Sequence, residues 1–239
     1  MQRSLKILVG FECSGAVRTA LRRLGHNAIS CDFHATELPG PHIQDDVFNH
    51  VNGDWDMGIF FPTCTFMCNS SQKHLYTGMK KNEAGDNLCP ERWAKMEKSA
   101  TEFRYLDEEL EYPRAIENPV MHGHAKSIIG RAQDQIIQPY NFGDRSTKGT
   151  CLWLTDLEPL YHTTPWLKPP TDREERKAWE GVWRASQNAD RAKDRSRTFQ
   201  GIADAMAEQW AGWAHGLDAA LIRADQAMLE VTSAYRMAA

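Results

Sequence analysis

The chain has 239 residues, 41% of them hydrophobic and 25% charged, with a net charge of −4. That charge excludes a surface that is basic all over, so any nucleic-acid contact must come from a local patch. No stretch approaches the ~18 apolar residues of a membrane helix, and Met1 to Lys6 leads straight into a strand, so neither a membrane span nor a secretion signal is expected. The six cysteines form no CxxC pair and no regular framework, and read as reduced thiols of a cytoplasmic protein. The length suits one α/β domain with an appended segment, or two small domains.

Lys6-Ile7-Leu8-Val9-Gly10 is a short buried-strand run, followed by Phe11-Glu12-Cys13-Ser14-Gly15. Val17, Ala20, Leu21 and Leu24 then recur at helical spacing, with Gly25 as the stop. Ala28 to Cys31 reads as a second strand ending at Asp32, and Asp45-Asp46 marks the end of a third. A fourth runs from Met57 to Phe61 and leaves at the corner Pro62-Thr63-Cys64-Thr65. The polar stretch from Asn69 to about Leu88, with Lys73, His74, Tyr76, Lys80 and Lys81, reads as a mobile loop. A helix from about Glu91 to Leu110 precedes the strand Ala115-Ile116-Glu117-Asn118-Pro119, and His122-Gly123-His124 reads as a loop. Later strands are expected at Ile136 to Tyr140 and Thr150 to Leu154, around a turn at Gly143-Asp144. The chain is Pro-rich and then charged from Thr163 to Arg197, and Ala-rich with helical period from Ile202 to about Met228. Strand and helix alternate as in a doubly wound, mostly parallel sheet, in which ligands collect beyond the strand C-termini.

Two of those strand ends carry chemistry. Cys64 offers a nucleophilic sulfur, and Glu117 an acid that can hydrogen-bond a ring nitrogen as negative charge develops there. The pair suits C5 methylation of cytosine: a thiolate adding to C6 makes C5 nucleophilic enough to take a methyl group. A thiol at a strand end beside a helix N-terminus is expected to have a lowered pKa. Gly15, after the first strand, suits close approach of a ligand, Asp32 suits a ribose-hydroxyl acceptor, and Asp46 suits an adenine-amine acceptor. Cys64 and Cys68 have no matching Cys or His pair, so no metal site is expected.

Taken together, these residues resemble the DNA cytosine-5 methyltransferase family, and in particular its short phage or prophage-type members. Phe11-Glu12-Cys13-Ser14-Gly15 resembles the first cofactor motif, with Cys13 in place of its first glycine. Pro62-Thr63-Cys64 resembles the Pro-Pro-Cys nucleophile motif with Thr63 for the second proline, and Glu117-Asn118-Pro119 resembles Glu-Asn-Val. Lys148, in Ser146-Thr147-Lys148-Gly149-Thr150, stands where the family has a base-contacting arginine, and gives a point charge instead of a planar fork. Arg195 to Thr198 with Gly201-Ile202-Ala203 resembles the closing segment.

The match spans about residues 6–160 and 195–213. It implies a Rossmann-like fold binding S-adenosylmethionine, with Phe11, Glu12, Ser14, Gly15, Asp32, Phe33, Asp46, Val47 and Pro62 around the cofactor. Cys64, Glu117 and Lys148 would be catalytic. It also implies a core over 1–160, a small recognition segment over 161–194 and a closing helix over 195–239.

Double-stranded DNA is the partner that this resemblance implies, with the target base flipped out of the stack. Asn118, Pro119, Arg173, Arg176, Lys177, Arg195 and Arg197 are its expected base and DNA contacts. Between Glu158 and Asp194, basic residues alternate with Trp166, Trp179 and Trp183, a pattern that suits phosphate contact and stacking. The same run also carries enough Asp and Glu to be an ordinary solvated helix face. Two rival readings are a free pyrimidine nucleotide as substrate, and a catalytically silent protein that binds cofactor or DNA.

Overall fold

In the computed structural model the described residues are 3–77, 88–180 and 197–212. Seven strands form one sheet: β1 (Lys6–Gly10), β2 (Asn27–Asp32), β3 (His42–Gln44), β4 (Met57–Phe60), β5 (Arg114–Pro119), β6 (Gln135–Ile137) and β7 (Thr150–Thr155), in the order β3-β2-β1-β4-β5-β7-β6. The first five are parallel, and β7 runs antiparallel to both β5 and β6. The architecture is α/β with a mostly parallel sheet, compatible with a Rossmann-like fold. From β1 the chain winds outward to β2 and β3, then returns to lay β4 on the other side of β1. The C-terminal ends of β1 and β4 therefore flank the switch point at which a doubly wound sheet leaves a ligand crevice.

Both faces of the sheet are covered. Alternate residues along each strand point to opposite faces. Ile7 and Val9 join the core beneath α1 (Ala16–Arg23) and a C-terminal helix, whereas Leu8 joins the core beneath α2 (Pro90–Glu108) and α3 (Gly123–Ile129). Trp153 is buried there edge-on to Phe103, with ring centres 5.0 Å apart.

The expected elements stand with local differences. The Ile136 strand stops at Ile137, and Pro139–Phe142 forms a 3-10 turn, because Pro139 has no N–H for a ladder. Asn69–Leu75, expected in a mobile loop, is a 3-10 helix packed by Leu75, while Lys80 and Lys81 lie outside the described residues. His122 is not in a loop: it is the N-cap of α3, its ring accepting from the Ala125 amide. The charged run contributes α4 (Arg173–Trp179), capped by Asp172. The C-terminal helix, α5, spans Gln200–Met206 and continues as a π turn over Ala207–Ala211. Trp210 is buried, with its indole N–H on the Glu158 carbonyl at 2.9 Å, while Trp213, Leu217 and the rest of the expected helix lie outside the described residues.

Candidate active site

Phe60 on β4 is in register with Ile116 on β5, so the corner leaving β4 and Glu117, one residue further along β5, meet at the same sheet edge. The segments beyond are tied together repeatedly. The Asn118 side-chain amide donates to the Pro62 carbonyl at 2.9 Å, the Asn69 amide to Val120 O at 3.0 Å, and the His122 amide to Met67 O at 3.0 Å. The His122 ring adds a bond to Phe66 O at 3.0 Å. Between these ties Cys64 starts a single turn, its carbonyl accepting from Met67 and Cys68, each at 3.1 Å. Lys148 reaches the same place from the loop before β7, which is fixed by its own amide donating to Gln138 Oε1 at 3.0 Å. Glu117, Lys148 and Thr150 form one wall of a small cleft, and Thr198, Phe199 and Ile202 form the other.

Cys64, Glu117 and Lys148 interact electrostatically. Burial pushes the Cys64 thiol up to about 11, with Cys68 and the Glu117 charge adding to the rise and Lys148 opposing it. This corrects the expected lowered pKa. The next helix along the chain begins only at Asn69, five residues past the sulfur, and desolvation dominates. Burial also raises Glu117, again opposed by Lys148, which favours the protonated acid. The arrangement therefore holds a resting thiol beside a carboxyl able to donate a proton, with one ammonium biased against both neutral forms.

The crevice at the ends of β1 to β3 is acidic and aromatic. Phe11 has φ +59, an unusual conformation for a bulky residue and a sign of imposed strain. Its ring meets Phe48 edge-on at 5.8 Å, and the two line a cleft with Pro62, Thr63, Ser99 and Glu102. Asp32 stands at the end of β2, one carboxylate oxygen taking the His34 amide and ring at 2.8 Å each, and the neighbouring Phe33 is 63% exposed. One oxygen of Asp46 accepts from the Phe48 amide at 3.0 Å.

Two expected cofactor residues turn inward. Glu12 is buried and caps α1, accepting from the Val17 and Arg18 amides at 2.7 and 3.3 Å and from Ser14 Oγ at 3.2 Å. Val47 is buried in the core against Gly10. Gly15 has φ +75, and any side chain there would run into the buried Arg18 guanidinium, so packing as well as access demands the glycine.

The structure adds residues that the motifs leave out. Phe48 directly follows the Asp46-Val47 pair, and its aromatic character was the available signal. Arg18 had none: its guanidinium donates to Ser30, Thr36, Leu38 O, Pro39 O and Pro41 O and fixes the loop after β2.

The expected DNA contacts are divided. Arg173 and Arg176 lie exposed on α4, but Lys177 is paired with Glu174. Trp179 is buried against the loop that carries Lys148, its carbonyl accepting from the Thr147 amide at 2.9 Å, so it is no stacking platform. Trp166 is 67% exposed. Arg197 is ion-paired with Glu37 at 2.9 Å, tying the closing segment to the loop after β2. Pro119 ends β5 beside Thr150, and Arg195, Arg184, Arg191, Lys193 and Trp183 lie outside the described residues.

No protein-family model matches the chain, and no curated protein matches it at a significant level. Among the described residues no helix is long and apolar enough to cross a membrane, and no group of three or more His, Cys, Asp or Glu side chains is arranged to hold a metal ion.

Proposed function

We propose that the chain is a DNA cytosine-5 methyltransferase using S-adenosylmethionine. The observation that carries this reading is the meeting of Cys64, Glu117 and Lys148 at the ends of β4, β5 and the loop before β7. Cys64 is the nucleophile toward C6 of the ring. Glu117, whose carboxyl is pushed up by burial, is the acid that engages N3 and so takes up the charge that addition would otherwise leave on the ring. Lys148 lowers the cost of forming the thiolate. A water molecule takes the C5 proton after methylation, and the electron pair of that C–H bond reforms the C5–C6 double bond as the C6–S bond breaks and Cys64 leaves as thiolate.

The cofactor fits the crevice on two counts. The cleft lined by Phe11, Phe48 and Pro62 offers aromatic and apolar surface to a flat purine, and the carboxylates of Asp32 and Asp46 suit hydroxyl and amine donors. Its sulfonium supplies the electrophilic methyl group. Glu12, engaged by the α1 amides, acts as a structural cap for the loop around it.

A free pyrimidine nucleotide is the second reading. It is favoured by the burial of Trp179 and the pairing of Lys177, which leave the described part of the recognition segment few groups for a duplex. Nucleoside mass spectrometry of DNA from a methylation-deficient bacterial host expressing the protein tests the first reading directly. 5-Methylcytosine that appears with wild type and disappears with Cys64→Ser supports it. Unmodified DNA from both, with methylation of free deoxycytidine nucleotides in vitro, supports the second.

A further inference from the structure

His122 stands four residues past Asn118 and is 1% exposed. Each of its polar groups has a partner on one of two elements. Its backbone amide donates to Met67 O at 3.0 Å, Nε2 contacts Phe66 O at 3.0 Å, and Nδ1 contacts the Ala125 amide at 3.2 Å. A carbonyl only accepts and an amide N–H only donates, so Nε2 is the donor to Phe66 and Nδ1 the acceptor from Ala125. One imidazole thus caps α3 with one nitrogen and holds the loop after Cys64 with the other. Phe66 is gripped from a second side as well, with the Arg92 guanidinium 4.7 Å from its ring centre.

We propose that His122 is a positioning residue for Cys64, its Nε2–H bond to Phe66 fixing the turn that aims the sulfur toward Glu117. The proposal rests on Cys64 being the nucleophile. Phe66 and Met67, both held by His122, lie within the turn that the Cys64 carbonyl closes, so freeing Phe66 lets that turn open. Displacement of a reacting atom by as little as ~1 Å costs on the order of a hundredfold in rate.

The two ring nitrogens can be tested separately. The amide of Asn overlays Nδ1 and that of Gln overlays Nε2, so His122→Asn keeps the α3 cap while His122→Gln keeps the bond to Phe66. Three quantities are read on the full chain: the melting temperature, the rate of Cys64 alkylation by iodoacetamide followed on its peptide, and 5-methylcytosine formation. For His122→Asn the expectation is melting close to wild type, Cys64 alkylation changed by about threefold or more, and methylation lowered by roughly tenfold. For His122→Gln the expectation is a lower melting temperature with Cys64 alkylation near wild type and methylation largely rescued.

Unchanged Cys64 alkylation and methylation in His122→Asn would overturn the proposal. So would effects on Cys64 that merely follow the loss of melting temperature in both variants. If neither wild type nor variant methylates DNA and yet alkylation divides the two variants as expected, the DNA methyltransferase reading fails and the positioning role stands.

Discussion

Asn118 donates its side-chain amide to the carbonyl of Pro62 at 2.9 Å, across the ends of β5 and β4. Asn118 follows the proposed acid and Pro62 lies two residues before the proposed nucleophile, so this one bond couples the two catalytic strand ends. Asn118 is 1% exposed, and its Oδ1 has no hydrogen-bond partner among the described residues. Asn118→Ala strands the Pro62 carbonyl, and the expected loss is about 1–3 kcal/mol of stability, partly offset by removing the orphaned oxygen. Methylation is expected to fall by roughly ten- to a hundredfold as the corner loosens. Urea unfolding alongside nucleoside mass spectrometry checks both.

Lys148 is the group that lowers the pKa of both Cys64 and Glu117. With the thiol pushed up to about 11, only about a thousandth of Cys64 is thiolate at pH 8. Lys148→Ala removes a charge that stabilises the thiolate, so the pH dependence of Cys64 alkylation should move to higher pH and the rate at pH 8 should drop several-fold. Glu117→Gln removes a repelling charge and should move the profile the other way. Opposite displacements of the two alkylation profiles are the expected result.

Cys31 and Cys151 are fully buried, and burial pushes each thiol up to about 11. The fold binds these protons more tightly than the unfolded chain does. Their contribution is therefore complete below the unfolded thiol pKa of ~8.5 and is lost as pH rises toward 11. Urea midpoints are expected to hold steady to about pH 8 and then decline, by on the order of 2 kcal/mol for each thiol by pH 11. The double variant Cys31→Ala, Cys151→Ala should flatten that decline even though it lowers the midpoint at pH 7.

Gly201 begins the return of the closing helix to the core. Its amide donates to Asp144 Oδ2 at 3.0 Å, and a Cβ at this position would overlap the Phe142 carbonyl oxygen and lie 2.8 Å from Asp144 Oδ2. Gly201→Ala is expected to cost about 2–4 kcal/mol, since the nearer obstacle is backbone and cannot swing aside as a side chain can. Thermal melting measures the loss, and wild-type melting would show that α5 can move aside.

Phe48 and Phe11 form the aromatic walls of the proposed cofactor slot. Phe48→Ala is expected to weaken binding of S-adenosylhomocysteine by roughly tenfold or more, through lost stacking area. Val47→Ala lies one residue away, in the core, and should lower stability instead. Calorimetric titration of the two variants separates a binding wall from a packing residue.

The amino-acid sequence by itself determined the strand and helix rhythm, because apolar periodicity and the breakers at Gly25 and Pro62 act locally. It also brought Cys64, Glu117, Asp32 and Asp46 to strand ends, since a parallel sheet sets all those ends along one edge. The folded chain alone decided what each group does there. The direction of the Cys64 pKa shift depends on desolvation and on Glu117 and Cys68, neighbours that spacing does not reveal. Glu12 turned to α1, Arg197 met Glu37 across 160 positions of chain, and Trp179 was buried. His122 looked like part of a loop because the ring bond that fixes it reaches Phe66, 56 residues away. Backbone propensity is a property of neighbours in sequence, whereas burial, charge and hydrogen bonding at the site belong to neighbours in space.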